Sequence, residues 1–145
     1  MPHRPWKFKK NYEYHPKRKN DESQLQMLLV RWLDSHNIHY VASLMGVNLG
    51  ARVGAIRKKM GCRSGVHDII ILQPSGNFNG MTLELKIKGG HITPEQEAFQ
   101  ATSIKNGYHS VIMPPDMDVQ DALDYAIGEI YGYLNIKKEE LWIRG

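Results

Sequence analysis

Cysteine is nearly absent: Cys62 is the only one in 145 residues, which excludes an internal disulfide and any Cys-x-x-Cys zinc site and fits a reducing compartment. Long apolar runs are missing too. No stretch approaches the ~18 to 20 residues that span a bilayer, and the N-terminus is basic and aromatic without the apolar centre of a signal peptide. A soluble, cytoplasmic protein with no membrane partner is expected. Internal repeats are lacking, and so is low-complexity sequence beyond the basic N-terminal stretch. Acidic residues are scarce at that end: residues 1–20 carry Arg4, Lys7, Lys9, Lys10, Lys17, Arg18 and Lys19 against Glu13 alone. With the whole chain at +4, this arm holds +6 and the remainder −2.

The length suits one domain with a real hydrophobic core, at the usual ~100 to 200 residues per domain. We expect a flexible arm over residues 1–20, the domain over 21–134 and a tail of open role over 135–145. In the arm, Trp6, Phe8, Tyr12 and Tyr14 interleave with Lys7, Lys9, Lys10, Lys17, Arg18 and Lys19. Cations meet phosphates and rings stack on bases, so the arm reads as a nucleic-acid-binding extension. The competing reading is a solubilising tail.

The chemistry is concentrated in residues 61–86. Asp68 opens the apolar run Ile69-Ile70-Ile71-Leu72, and Glu84-Leu85-Lys86 is embedded in a second run from Met81 to Ile87. Between them, Pro74-Ser75-Gly76-Asn77-Phe78-Asn79-Gly80 is dense in turn-forming residues and predicts a hairpin. With Leu72 roughly opposite Met81, an antiparallel ladder brings Asp68 next to Glu84 or Leu85. Glu84 and Lys86 are two apart and share a face. Two carboxylates and an ammonium among Ile and Leu carry a desolvation cost that a hard divalent cation offsets. Lys86 would then face the attacking water or a phosphate. The competing reading is a surface hairpin with ordinary edge-strand charges.

Other segments frame this pair. Residues 21–36 have helical spacing in Leu25, Leu28, Leu29, Trp32 and Leu33, with Asp21 and Gln24 as an N-terminal cap. Glu22 and Gln26 fall on the same stripe as Leu29 and Leu33. That would deliver a carboxylate and an amide to a site, unless Glu22 serves only the helix dipole. Residues 38–45 predict a strand, and residues 51–60 a short helix closed by Gly61. Of its cations and those just beyond, Lys59 and Arg63 are the best candidates for a phosphate backbone, although a solvated helix face reads as well. Thr93-Pro94-Glu95-Gln96 has the marks of a helix start, with a stop at Gly107. Residues 108–113 predict a strand and 119–134 an amphipathic helix.

Gly65-Val66-His67-Asp68 followed by Glu84-Leu85-Lys86 resembles the PD-(D/E)XK nuclease superfamily, and within it the VRR-NUC branch, the virus-type replication and repair nucleases. Glu22 and Gln26 on the first helix, Lys59 through Gly65 before the aspartate, and Gln96 after the second strand also match. The resemblance covers about residues 21–115, with one departure: His67 stands where the family usually has proline. It implies an α/β restriction-endonuclease-like core, a mixed central β-sheet flanked by helices. It further implies a Mg²⁺ (or Mn²⁺) site at Asp68, Glu84 and the Leu85 carbonyl, with Glu22 ligating a second ion directly or through water, and Lys86 acting on the attacking water or the phosphate. Gln96 then faces the catalytic edge, whereas the spacing from Thr93 lets it close a capping box; one amide is not expected to do both fully. The expected activity is DNA endonuclease, structure-selective for branched DNA and working as a homodimer. The alternatives are a sequence-specific restriction or homing-type endonuclease and a non-catalytic DNA-binding module.

Overall fold

In the computed structural model, residues 22–43 and 50–143 are described, with only the backbone of 136–143. The cations of the arm, Lys7, Lys9, Lys10, Lys17, Arg18 and Lys19, lie outside these residues. So do Asp21, the end of the strand expected over 38–45, and the tail's side chains beyond 135.

The described chain runs α1 (Glu22–Ser35), β1 (Tyr40–Ala42), α2 (Ala51–Lys59), β2 (Ile69–Ile71), β3 (Met81–Glu84), α3 (Pro94–Lys105), β4 (His109–Ile112) and α4 (Val119–Ile143). The four strands form one sheet in chain order. β1 pairs antiparallel with β2, and β2 with β3, while β3 and β4 are parallel and joined through α3. This is a mixed α/β sheet flanked by helices, a restriction-endonuclease-like core.

Period-two alternation along β3 explains the division of the interior. Met81, Leu83 and Leu85 join Leu25, Leu29 and Leu33 of α1 and Ala122, Ala126 and Ile130 of α4 in one apolar cluster. Thr82, Glu84 and Lys86 alternate with them and are also buried, on the side where α3 packs on β3 and β4. One face of the sheet is therefore a dry core, and the other is a polar seam roofed by α3.

α3 begins and ends where its residues dictate. Thr93 and Gln96 form a reciprocal capping box with Pro94 in the first turn, and the helix closes at Gly107, whose φ of 87° a side chain would resist. The expected hairpin forms with a different register. Ile71, not Leu72, opposes Met81, and Leu72 is exposed. The intervening segment makes its own small turn, Ser75 and Phe78 exchanging main-chain hydrogen bonds, and the offset arises between that turn and the ladder, where residues 72–74 on one side face only Asn79 and Gly80 on the other. The expected end of the last helix at residue 134 is also corrected: α4 continues without a break to Ile143.

Candidate active site

The register places Asp68 one step beyond the Ile69–Leu83 pair, opposite Glu84. Each residue binds across the gap to the other strand. The Asp68 main-chain N–H donates to Glu84 Oε2 at 3.2 Å, and the Leu85 N–H donates to Asp68 Oδ2 at 2.9 Å. The main chain of Leu85 thus lies against the Asp68 carboxylate. Lys86 Nζ stands 3.4 Å from Glu84 Oε1, both side chains being about 5% exposed. Gln96 of α3 donates from Nε2 to the same oxygen at 2.6 Å.

Gln96 resolves the choice between cap and site by doing both. Its Oε1 accepts from the Thr93 N–H at 3.0 Å while its Nε2 reaches Glu84. An amide has an acceptor end and a donor end, so anchoring one at the helix start aims the other at the carboxylate. The expectation that one amide would not fill both roles fully is corrected.

Glu22, Asp68, Glu84, Lys86 and Gln96 line one open cleft of about 440 Å³, together with Ser64, Gly65, Val66, Thr93 and Glu95. Glu22 enters from the first turn of α1, and its Oε1 lies 2.7 Å from where a side chain on Gly90 would begin. Gln26, a turn further along α1, is half-buried at the edge of the stripe formed by Leu25, Leu29 and Leu33 and lies outside the cleft lining. Lys59 and Arg63 are exposed and outside it as well. Arg63 turns its guanidinium back onto the end of α2, donating to the Lys58 carbonyl at 3.1 Å and to the Cys62 carbonyl just beyond the helix at 3.2 Å.

The loop into Asp68 depends on a close approach. Gly65 has φ +83°, and a β-carbon there would sit 2.3 Å from main-chain atoms of Glu95. Only glycine lets this loop lie against the start of α3. The residue the sequence reading left without a role is His67. It is fully buried, with Nδ1 3.0 Å from Thr82 Oγ1, Nε2 3.1 Å from the Gln96 carbonyl oxygen and its ring tilted against Phe99. Burial, with help from the nearby Lys86 charge, pushes its pKa down despite the Gln96 contact, which favours the neutral ring. A histidine immediately before Asp68, where the resembled family usually has proline, was the available signal.

Burial raises both carboxylates, and Coulombic repulsion adds to it. Asp68 is pushed up to about 6 by burial and by Glu22, against the Leu85 N–H and Lys86. Glu84 is pushed up to about 8 by burial and by Asp68, against Lys86 and the Asp68 N–H. Such carboxylates gain from a bound cation. Among the described residues no three His, Cys, Asp or Glu side chains gather as a ready-made cage. The donor set is two carboxylates and neighbouring main chain opening on a cleft, which fits Mg²⁺ or Mn²⁺, since such ions take one or two carboxylates plus water and substrate oxygens.

A mixed sheet whose central strand carries Glu-x-Lys opposite an aspartate defines a two-carboxylate cleft on a restriction-endonuclease-like α/β core. A solved structure described as a VRR_NUC domain protein is similar to this chain, with a TM-score of 0.64 and 23% sequence identity over 79% of this chain and 88% of that one. That likeness shows the fold. No protein-family model and no curated protein matches the chain. No helix among the described residues is long and apolar enough to cross a membrane.

Proposed function

We propose that this protein is a divalent-metal-dependent DNA endonuclease that hydrolyses phosphodiester bonds. The observation that carries the reading is the convergence of Asp68, Glu84, Lys86, Gln96 and Glu22 on one cleft. The VRR-NUC-like fold supports it, because the residues that would do the chemistry stand on the strand and hairpin positions at which that family is recognised.

Asp68 and Glu84, with the Leu85 carbonyl, are the residues that would hold the cation, and Glu22, which lines the same cleft, would add a carboxylate directly or through water. A bound Mg²⁺ or Mn²⁺ supplies Lewis-acid polarisation of the phosphate and a more acidic attacking water. Gln96 holds the Glu84 carboxylate in one orientation through its 2.6 Å bond. Lys86, buried beside Glu84, places a positive charge where it can orient the attacking water or stabilise charge building on the phosphate oxygens. The products would carry 5′-phosphate and 3′-hydroxyl ends. The basic arm and the cations of α2 would hold the backbone outside the cleft.

Branched DNA is the proposed substrate and a homodimer the proposed unit, since one chain with one site needs a second to cut both strands. The test is cleavage of a linear duplex, a flap, a splayed arm and a four-way junction of matched sequence, with Mg²⁺ and with EDTA. Cleavage of the branched forms that EDTA and Lys86→Ala both abolish is the expected result. Cleavage persisting in EDTA overturns the metal assignment, and cutting of the linear duplex at one sequence favours the restriction-type alternative.

A further inference from the structure

His67 takes no part in the chemistry proposed above, yet it is one of the most buried polar side chains described, at 0% exposure. It stands between β3 and the first turn of α3. A main-chain carbonyl only accepts, so Nε2 carries the ring hydrogen and donates it to Gln96 O, and in the neutral ring Nδ1 is then the acceptor. The Thr82 hydroxyl must donate to Nδ1. It thereby leaves its lone pairs to the Ser110 hydroxyl, 2.5 Å away on β4. The result is a directed chain, Ser110 to Thr82 to His67 to Gln96, running from β4 across β3 into α3.

The chain ends on the residue that holds Glu84. With Gln96 Oε1 anchored to the Thr93 N–H, its Nε2 can point only where the first turn of α3 sends it. The outer residues of that turn, Thr93, Pro94, Glu95 and Glu97, are exposed. Gly65 lets the preceding loop lie against Glu95, but that contact is steric and sets no direction. The hydrogen bond from His67 is directional, and it reaches the backbone of the very residue whose side chain meets Glu84.

We infer that His67 is a positioning residue for the cation site: it ties the first turn of α3 to β3 so that the Gln96 carboxamide meets Glu84 Oε1 and fixes that carboxylate beside Asp68. The inference rests on the proposed site being a divalent-cation site. It assigns His67 a directional function in a place where the resembled family has a proline, which has no side-chain donor.

The test uses the full chain and four variants: His67→Phe, which keeps a ring against Phe99 and loses both hydrogen bonds; His67→Gln, whose amide can donate to Gln96 O and accept from Thr82; Gln96→Ala; and the His67→Phe/Gln96→Ala double. Mn²⁺ affinity is read by titration calorimetry, single-turnover cleavage at saturating DNA and metal is read separately, and a thermal melt confirms folding. His67→Phe should weaken Mn²⁺ binding and slow cleavage by ~10- to 100-fold, the usual effect of losing a residue that orients a metal ligand. His67→Gln should recover most of the loss. In the Gln96→Ala background, His67→Phe should add less than ~3-fold, because both changes remove one link. A folded His67→Phe protein within about twofold of wild type, or losses that multiply in the double variant, overturns the inference. If His67→Phe does not fold, Thr82→Val breaks the same chain one bond earlier, and a Mn²⁺ affinity unchanged by it overturns the inference equally. Wild-type protein that binds Mn²⁺ but cuts no DNA overturns the nuclease reading and leaves the His67 comparison to be decided by the isotherms. Wild-type protein that binds no Mn²⁺ overturns both.

Discussion

Replacing Glu84 by glutamine should stabilise the metal-free protein while abolishing its activity, and the stabilisation should depend on pH. Glu84 is 4% exposed. Lys86, Gln96 and the Asp68 N–H favour its ionised form, but burial and the Asp68 carboxylate outweigh them and push it up to about 8 from an ordinary 4.5. A carboxyl that ionises so much later when folded takes up a proton on folding at neutral pH, a cost bounded, at about 1.4 kcal/mol per pH unit, by about 3 to 4 kcal/mol at pH 7 and by about 5 kcal/mol at pH 8. Because the folded form binds the extra proton, the wild type's stability from this group is fully present below about pH 4.5 and is lost as pH rises toward 8. Glutamine removes that dependence. It also gives up the Lys86 contact and alters the bond to Gln96, so the expected net gain at pH 8 is about 1–2 kcal/mol, falling to near zero at pH 4.5. For a domain of this size that is a rise in Tm of about 4 °C per kcal/mol. Melts of both proteins from pH 4.5 to 8.5 in EDTA measure it. A gain that does not grow with pH, or a loss at pH 8, refutes the reasoning. Mn²⁺ at about 100 times its Kd should then raise the wild type by about 2.7 kcal/mol and leave the variant nearly unmoved.

Four further outcomes are expected. Since Asp68 and Glu84 must both lose protons to accept a cation, Mn²⁺ affinity should rise from pH 6 to pH 8 with proton release, which calorimetry in buffers of different ionisation enthalpy detects; a flat profile contradicts the raised carboxylates. Glu22→Gln should cut single-turnover cleavage by ~10²-fold with little change in the melt if the carboxylate serves the cleft, whereas ~0.3 to 1 kcal/mol of lost stability with normal cleavage would assign it to the helix dipole. Gly65→Ala should cost ~3 kcal/mol or more in denaturant unfolding, from the positive φ and the overlap with Glu95 together; an unchanged midpoint would mean that the loop does not press on α3. Deleting residues 1–19 should flatten the log–log salt dependence of DNA binding by several units, at ~0.9 per lost phosphate contact, and leave cleavage of bound DNA intact; a wild-type slope would make the arm a bystander.

The candidate site was largely legible before folding because its parts are close in sequence and follow short periods. Alternation put Glu84 and Lys86 on one face, and turn residues between two apolar runs brought Asp68 back to them. The cap at Thr93 could be placed to the residue, since capping is local chemistry. The register was harder. A long connection does not pin a ladder as a two-residue turn does, and one extra residue in 72–74, between the Ser75–Phe78 bridge and the strands, sets Ile71 rather than Leu72 opposite Met81. The length of α4 was missed for a different reason: residues 135–143 mix charge with apolar groups and give no stop signal, so the helix runs through them.

By itself, then, the sequence determined which residues are candidates for the proposed chemistry and which strands and helix starts present them, because hydrophobic period, turn composition and capping act over a few residues. Tertiary structure alone decided how the pieces address one another. The reach of the Gln96 amide to Glu84, the fold of Arg63 back onto α2, the offset of Gln26 from the cleft and the burial of His67 between β3 and α3 each depend on where α3 and α1 settle against the sheet. So do the raised carboxylates. Asp68 and Glu84 are ordinary acids along the chain, and packing that removes their water and sets them side by side makes their charged forms costly.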